Sequence, residues 1–146
     1  NRIKYEYLPT DVFNHYDTHL VFTGVTRNSK KILKNITENL DKVRPVLDTL
    51  EHAYKTLIDK QYKEFLGHMK TSWIKKKETS DSITENKKIK KIDNDLENNG
   101  SVVAHKLCGA GNGGFFLTFS KKNSLTIPYS TIRIHAVPDG VKGESI

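Results

Sequence analysis

Between two apolar runs the chain reads Lys106-Leu107-Cys108-Gly109-Ala110-Gly111-Asn112-Gly113-Gly114-Phe115-Phe116-Leu117, with four glycines in six residues. Glycine tolerates positive φ and lets other atoms approach the backbone closely, at an entropic cost that demands a reason. A plain hairpin turn needs only two or three residues. A longer glycine loop can instead turn successive amide N–H groups inward as a nest for an anion. The spacing of Gly109, Gly111 and Gly114 loosely matches G-x-G-x-x-G, but a strand-like run follows it where a dinucleotide fingerprint would have a helix. No Gly-Lys-Ser/Thr follows either, so it is not a Walker loop.

The segments around this loop define the fold class. His19-Leu20-Val21-Phe22-Thr23-Gly24 is a short apolar run closed by glycine, a buried-strand signal. Arg2 to Leu8 alternates and reads as an opening strand, broken by Pro9 and Asn14. Ile32, Leu33, Ile36 and Leu40 share a helical face, with Ser29 as N-cap. Asp41 to Ile58 repeats the helical period through Val43, Val46, Leu47, Leu50, Ala53, Tyr54 and Leu57, with Pro45 in the first turn, where proline is tolerated. Tyr62, Phe65, Leu66, Met69 and Trp73 make a third stripe, read as core. Thr79 to Ser82 is a polar break, and Ile89, Ile92 and Leu96 mark a further helix that Asn98-Asn99-Gly100 ends. Val102–Cys108, Phe115–Phe119 and Thr131–Val137 turn β-like. The order is α+β and suits a ferredoxin-like split βαβ antiparallel sheet with an enlarged helical crossover.

At 146 residues the chain fits one domain and can bury roughly two-thirds of its unfolded surface without a staple. The lone Cys108 makes no internal disulfide and, flanked by apolar strand, reads as a small buried residue. No apolar run approaches a membrane span and no signal-peptide pattern is evident, so a cytoplasmic setting is expected. The net charge of +7 gathers at Lys75-Lys76-Lys77 and at Lys87 to Lys91, but acidic residues flank both runs. They read as solvated helix faces rather than a nucleic-acid patch. The histidines show no metal-ligand spacing, and Asn35-Ile36-Thr37 is a chance sequon in such a setting.

The glycine loop resembles the third motif of the GHMP kinases, a Gly-Ala-Gly-x-Gly-Gly loop preceded by an apolar residue. Two further stretches resemble the heptose 7-phosphate kinase subgroup: Leu20 to Ser29, similar to Phe-Thr-Gly-x-x-Arg-x-Ser, and Ser72-Trp73-Ile74-Lys75-Lys76-Lys77 with Ser82-Ile83. The resemblance implies the C-terminal domain of an ATP-dependent sugar kinase, spanning residues 1–146, that uses ATP and Mg²⁺. It implies that Gly109, Ala110, Gly111, Asn112, Gly113 and Gly114 form the nucleotide-phosphate loop, with Asn112 at a variable position. Thr23, Gly24 and Arg27 are then candidate substrate contacts, Arg27 through its planar fork. Ser29 is better read as an N-cap, and Lys106 reaches either a phosphate or the outer sheet face.

The family's Pro-x-x-x-Gly-Leu-Gly-Ser-Ser loop, its substrate-contacting first motif and its catalytic acidic and basic residues are not in this sequence. The chain opens on Asn1 inside a strand-like run, so a fragment lacking its N-terminal half is expected, with no catalytic residue and no metal ligand of its own. Its partners would then be ATP, a sugar or sugar phosphate (heptose 7-phosphate first) and the missing half, with a homo-oligomer left open. Two other classes stay open: a ferredoxin-like RNA-binding module, whose aromatic strand Gly114-Phe115-Phe116-Leu117-Thr118-Phe119 resembles except that Gly113 precedes it and Phe115 and Phe116 are adjacent, and a catalytically inactive ligand-binding or dimerisation domain.

Overall fold

The apolar runs on either side of the glycines pair as the hairpin that the loop demands. A computed structural model describes residues 6–26 and 40–137. Strands β1 (Asp17–Phe22), β2 (Val102–Leu107), β3 (Phe115–Ser120) and β4 (Thr131–Ile134) form one antiparallel sheet in the order β2-β3-β1-β4. In the centre, Val21 pairs with Phe116 and Phe22 with Phe115. A register irregularity between Val102 and Ala104 offsets the start of β2. The split βαβ is therefore present, with β3 lying between β1 and β2.

The crossover from β1 to β2 carries α2 (Arg44–Ile58), α3 (Tyr62–Thr79) and α4 (Lys87–Glu97), with a 3-10 turn at Leu40–Lys42 ahead of α2 and another at Asp81–Thr84 between α3 and α4. A one-turn helix, α1 (Val12–His15), precedes β1. Pro45 sits in the first turn of α2, as its missing N–H allows. Asn86 caps α4, its side chain accepting the Lys88 N–H. From β3 to β4 the chain crosses without a helix. Residues 121–130 are pinned instead by Asn123 N–H on Asp17 (2.8 Å) and by the Ser101 hydroxyl on the Ser124 carbonyl (2.8 Å). Arg133 on β4 reaches the same Asp17 carboxylate at 2.6 Å.

Because strand side chains alternate faces, Phe116 and Phe119 point to opposite sides of the sheet. Phe116 joins Val21, Trp73, Ile83, Ile89, Ile92, Leu96 and Leu107 in one buried cluster. Phe119 joins Val12, Tyr62, Leu66, Met69 and Ala104 in another. Helix α3 packs along the β2 edge and feeds both clusters, which also protects that edge from pairing with other chains. No described helix is long and apolar enough to cross a membrane.

Three expectations need correction. Of the opening strand, residues 1–5 lie outside the described residues, while Glu6, Tyr7 and Leu8 are not in a strand. Tyr7 is 92% exposed, and Pro9 removes a ladder donor, so the alternation there has no buried face to match. The helix expected from Asp41 is a 3-10 turn followed by a helix from Arg44, and its stripe is half realised: Ala53 is buried, whereas Leu47, Leu50 and Tyr54 are exposed. The last strand stops at Ile134 rather than Val137. The helix read on Ser29, Ile32, Leu33 and Ile36, and the sequon at Asn35, lie outside the described residues.

One buried carboxylate ties the helices to the sheet. Asp93 on α4 is 4% exposed and accepts hydrogen bonds from Trp73 Nε1, His105 Nε2 and Lys77 Nζ, each at 2.7 Å. Burial pushes this carboxyl up, but the bonds from His105, Lys77 and Trp73 outweigh it and hold the pKa at about 2. A depressed carboxylate stabilises the fold above its unfolded pKa and loses that contribution as it is protonated. Stability should therefore fall by about 2 kcal/mol as pH drops from about 4 toward 2. Urea denaturation across that range checks it, and Asp93→Asn should flatten this acid limb. At neutral pH the same variant should lose about 3 kcal/mol, since it leaves the Lys77 ammonium without its counter-charge and weakens the acceptor shared by Trp73 and His105.

Candidate functional site

The glycine loop closes β2 onto β3, with Cys108 N–H donating to the Phe115 carbonyl at 2.9 Å. Its path explains its composition. Gly111 has φ +120°, and a Cβ there would lie 3.1 Å from Ile83 Cα, so both conformation and space exclude a side chain. Asn112 takes the left-handed region at φ 50°, which asparagine tolerates. Its N–H donates to the Ile83 carbonyl (2.8 Å), and its Oδ1 accepts the Asn86 N–H (3.1 Å). Gly114 N–H donates to the Val25 carbonyl, and the Gly114 carbonyl accepts both the N–H (3.0 Å) and the hydroxyl (2.8 Å) of Thr23. The loop is thus tied to the 3-10 turn, to the start of α4 and to the turn after β1.

These ties leave a set of donors over. Among the described residues, the N–H groups of Gly109, Ala110, Gly111 and Gly113 meet no acceptor. Two lysines from the helices approach the same region. Lys76 Nζ, from the end of α3, donates to the Gly109 carbonyl. Lys88, in the first turn of α4, lays its ammonium over Gly24, where an added methyl would collide with it. Gly24 itself stands at φ +66°.

Beside the loop lies a cleft of about 380 Å³ lined by Phe22, Gly24, Val25, Thr26, Cys108, Gly114 and Phe115. The Phe22 and Phe115 rings, register partners on β1 and β3, sit 5.1 Å apart and give it an aromatic wall. Among the described residues no carboxylate lines it, and no group of three His, Cys, Asp or Glu is placed to hold a metal. Unengaged N–H groups and ammonium groups suit phosphate oxygens. They do not suit Mg²⁺, which takes oxygen ligands.

The residues singled out from sequence divide three ways. Gly109, Ala110, Gly111 and Gly113 carry the free donors, and Gly114 and Gly24 line the cleft. Thr23 is fully buried and Asn112 has both its N–H and its side-chain oxygen engaged, so both hold the loop in shape. Arg27 and Ser29 lie outside the described residues. Lys106 faces away, into a groove with Leu50, Ala53, Met69 and Leu117. Cys108, expected to be buried, is half-exposed and forms part of the cleft wall, because the loop peels away beside it. Lys76 and Lys88 belong to runs that read as solvated charge, because they stand far from the loop in sequence and only folding brings them to its surroundings.

No protein-family model matches the sequence, and no curated protein matches it. Among solved structures, the fold resembles the crystal structure of L. major mevalonate kinase in complex with R-mevalonate, with a TM-score of 0.54 and 14% identity. The match covers 74% of this chain and 34% of that one, so the chain spans about a third of the mevalonate kinase. At this identity the likeness speaks for the fold alone. The α+β sheet and helical crossover expected from the order of the apolar runs have a counterpart in the matched part of that structure.

Proposed function

We propose that the chain is the phosphate-binding C-terminal domain of an ATP-dependent small-molecule kinase of the GHMP type. The observation that carries this reading is the glycine loop. Among the described residues it offers four N–H groups that meet no acceptor, with Lys76 and Lys88 beside it and no carboxylate in the adjoining cleft. Phosphoryl transfer depends on positioning and on neutralising charge at the phosphates, and backbone donors held rigid by tertiary ties suit that task. Residues Gly109, Ala110, Gly111 and Gly113 would hold nucleotide phosphate oxygens, and Thr23 and Asn112 would keep those donors in place. The chain contributes no catalytic base. That group, the Mg²⁺ ligands and the second phosphate loop would come from an N-terminal half in a cytoplasmic enzyme.

The substrate reading follows the heptose-kinase resemblance of the segments at Leu20 and Ser72, with heptose 7-phosphate first and other sugars or sugar phosphates behind it. The Phe22–Phe115 wall supports it, since aromatic faces pack well against the C–H face of a sugar ring. The RNA-binding alternative is less well supported, since Phe116 and Phe119 are buried at 0% and 3% exposure and leave Phe115 as the accessible aromatic of β3.

The product of the whole reading frame should convert Mg-ATP to ADP in the presence of heptose 7-phosphate, in a coupled assay run beside galactose, fucose, homoserine and mevalonate. Activity on another member of that panel would correct the substrate and keep the kinase. Absence of ATP binding by calorimetry would overturn the reading. Gly111→Ala should weaken ATP binding and lower stability by about 1–3 kcal/mol, because it forces a side chain into a glycine-only conformation against Ile83.

A further inference from the structure

Three lysines of α3 and α4 pair with carboxylates: Lys70 with Glu97, Lys77 with Asp93 and Lys91 with Asp95. Lys75 and Lys76 donate to carbonyl and hydroxyl oxygens instead. The Lys88 side chain runs back to the turn after β1, and among the described residues no ion pair joins it to a carboxylate. Gly24 makes that position available: any side chain there would occupy the space of the Lys88 ammonium. Gly24 also lines the cleft beside the glycine loop. The α4 start that carries Lys88 is held to the same loop, through Asn86 N–H on the Asn112 side chain and Asn112 N–H on the Ile83 carbonyl. An ammonium without a carboxylate partner among the described residues therefore stands at the rim of a cleft that adjoins the glycine loop, whose Gly109, Ala110, Gly111 and Gly113 N–H groups meet no acceptor among those residues.

We infer that Lys88 is an anion-binding residue of this cleft and takes a phosphate group, either of the nucleotide or of a phosphorylated substrate. The inference rests on the kinase reading and adds to it a specific residue that the glycine motif does not include. Gly24 acts with it, as the position over which the ammonium lies and from which a Cβ would displace it. The charge is mobile and solvated at its tip, so its effect should weaken as salt rises.

The test uses the whole gene product and calorimetric Kd values for two probes measured separately, Mg-ATP and heptose 7-phosphate. Lys88→Ala should raise the Kd of at least one probe roughly tenfold, the lower end of what a charge-assisted hydrogen bond contributes. Lys88→Arg, which keeps the charge, should recover most of the loss. Lys90→Ala, an exposed lysine on the same helix, serves as the charge-matched control and should change neither value. A loss confined to Mg-ATP assigns Lys88 to the nucleotide, and a loss confined to heptose 7-phosphate assigns it to the substrate. Gly24→Ala should reproduce the loss, and combining it with Lys88→Ala should add little more. If the wild type binds and Lys88→Ala behaves like Lys90→Ala, the inference fails while the kinase reading stands. Additive losses from Gly24→Ala and Lys88→Ala would overturn the role given to Gly24. If the wild type binds neither probe, the kinase reading fails and the inference goes with it.

Discussion

The Asp93 carboxylate is where the helical crossover and the sheet become one object. It sits on α4, takes a hydrogen bond from the Trp73 indole and an ion pair from Lys77 on α3, and takes a third bond from His105 on β2. A buried charge is costly unless each of its lone pairs is answered, and here three donors from two further elements do so. That requirement fixes the rotation of α3 about its axis. The neighbouring Lys76 then falls on the Gly109 carbonyl. It also fixes α4, whose first turn brings Asn86 and Lys88 to the loop and to Gly24. The polar centre of the core thus sets the position of cations at its surface.

The loop works on the same principle at smaller scale. Its shape is over-determined by ties at Asn112 and Gly114, so the donors that remain are fixed in direction without a ligand present. A preformed nest binds an anion without first losing conformational entropy, which is the physical advantage of glycines anchored on both sides over glycines in a free loop. Phe22 and Phe115 extend the same register beyond the loop and make one wall of the cleft apolar.

Much of this was legible in the chain. The strands at Leu20, Val102 and Phe115 and the stripe from Tyr62 to Trp73 declare themselves through period and burial, because their apolar side chains fill the two clusters on either side of the sheet. The glycine run pointed to the site for a conformational reason that the φ values bear out. Asp93 was missed although it stood four residues after Ile89 and three before Leu96, on a face that had to be buried. A carboxylate in that stripe, with His105 on the same strand face as Leu107, was the available signal. The exposed half of the α2 stripe could not be foreseen, since period alone does not say how much of an apolar face finds a partner. Lys76 and Lys88 lay hidden in lysine runs, where only tertiary contact separates a placed ammonium from a solvated one.

The central claim is that the unengaged amides of this loop form an anion site. The most direct measurement is a ¹H–¹⁵N correlation titration of the chain with pyrophosphate. The account predicts saturable shifts concentrated on the amides of Gly109, Ala110, Gly111 and Gly113, with Asn112 and Gly114, whose N–H groups are already engaged, moving least within the loop. Shifts spread over the exposed lysines of α4 with the loop amides unmoved would contradict it.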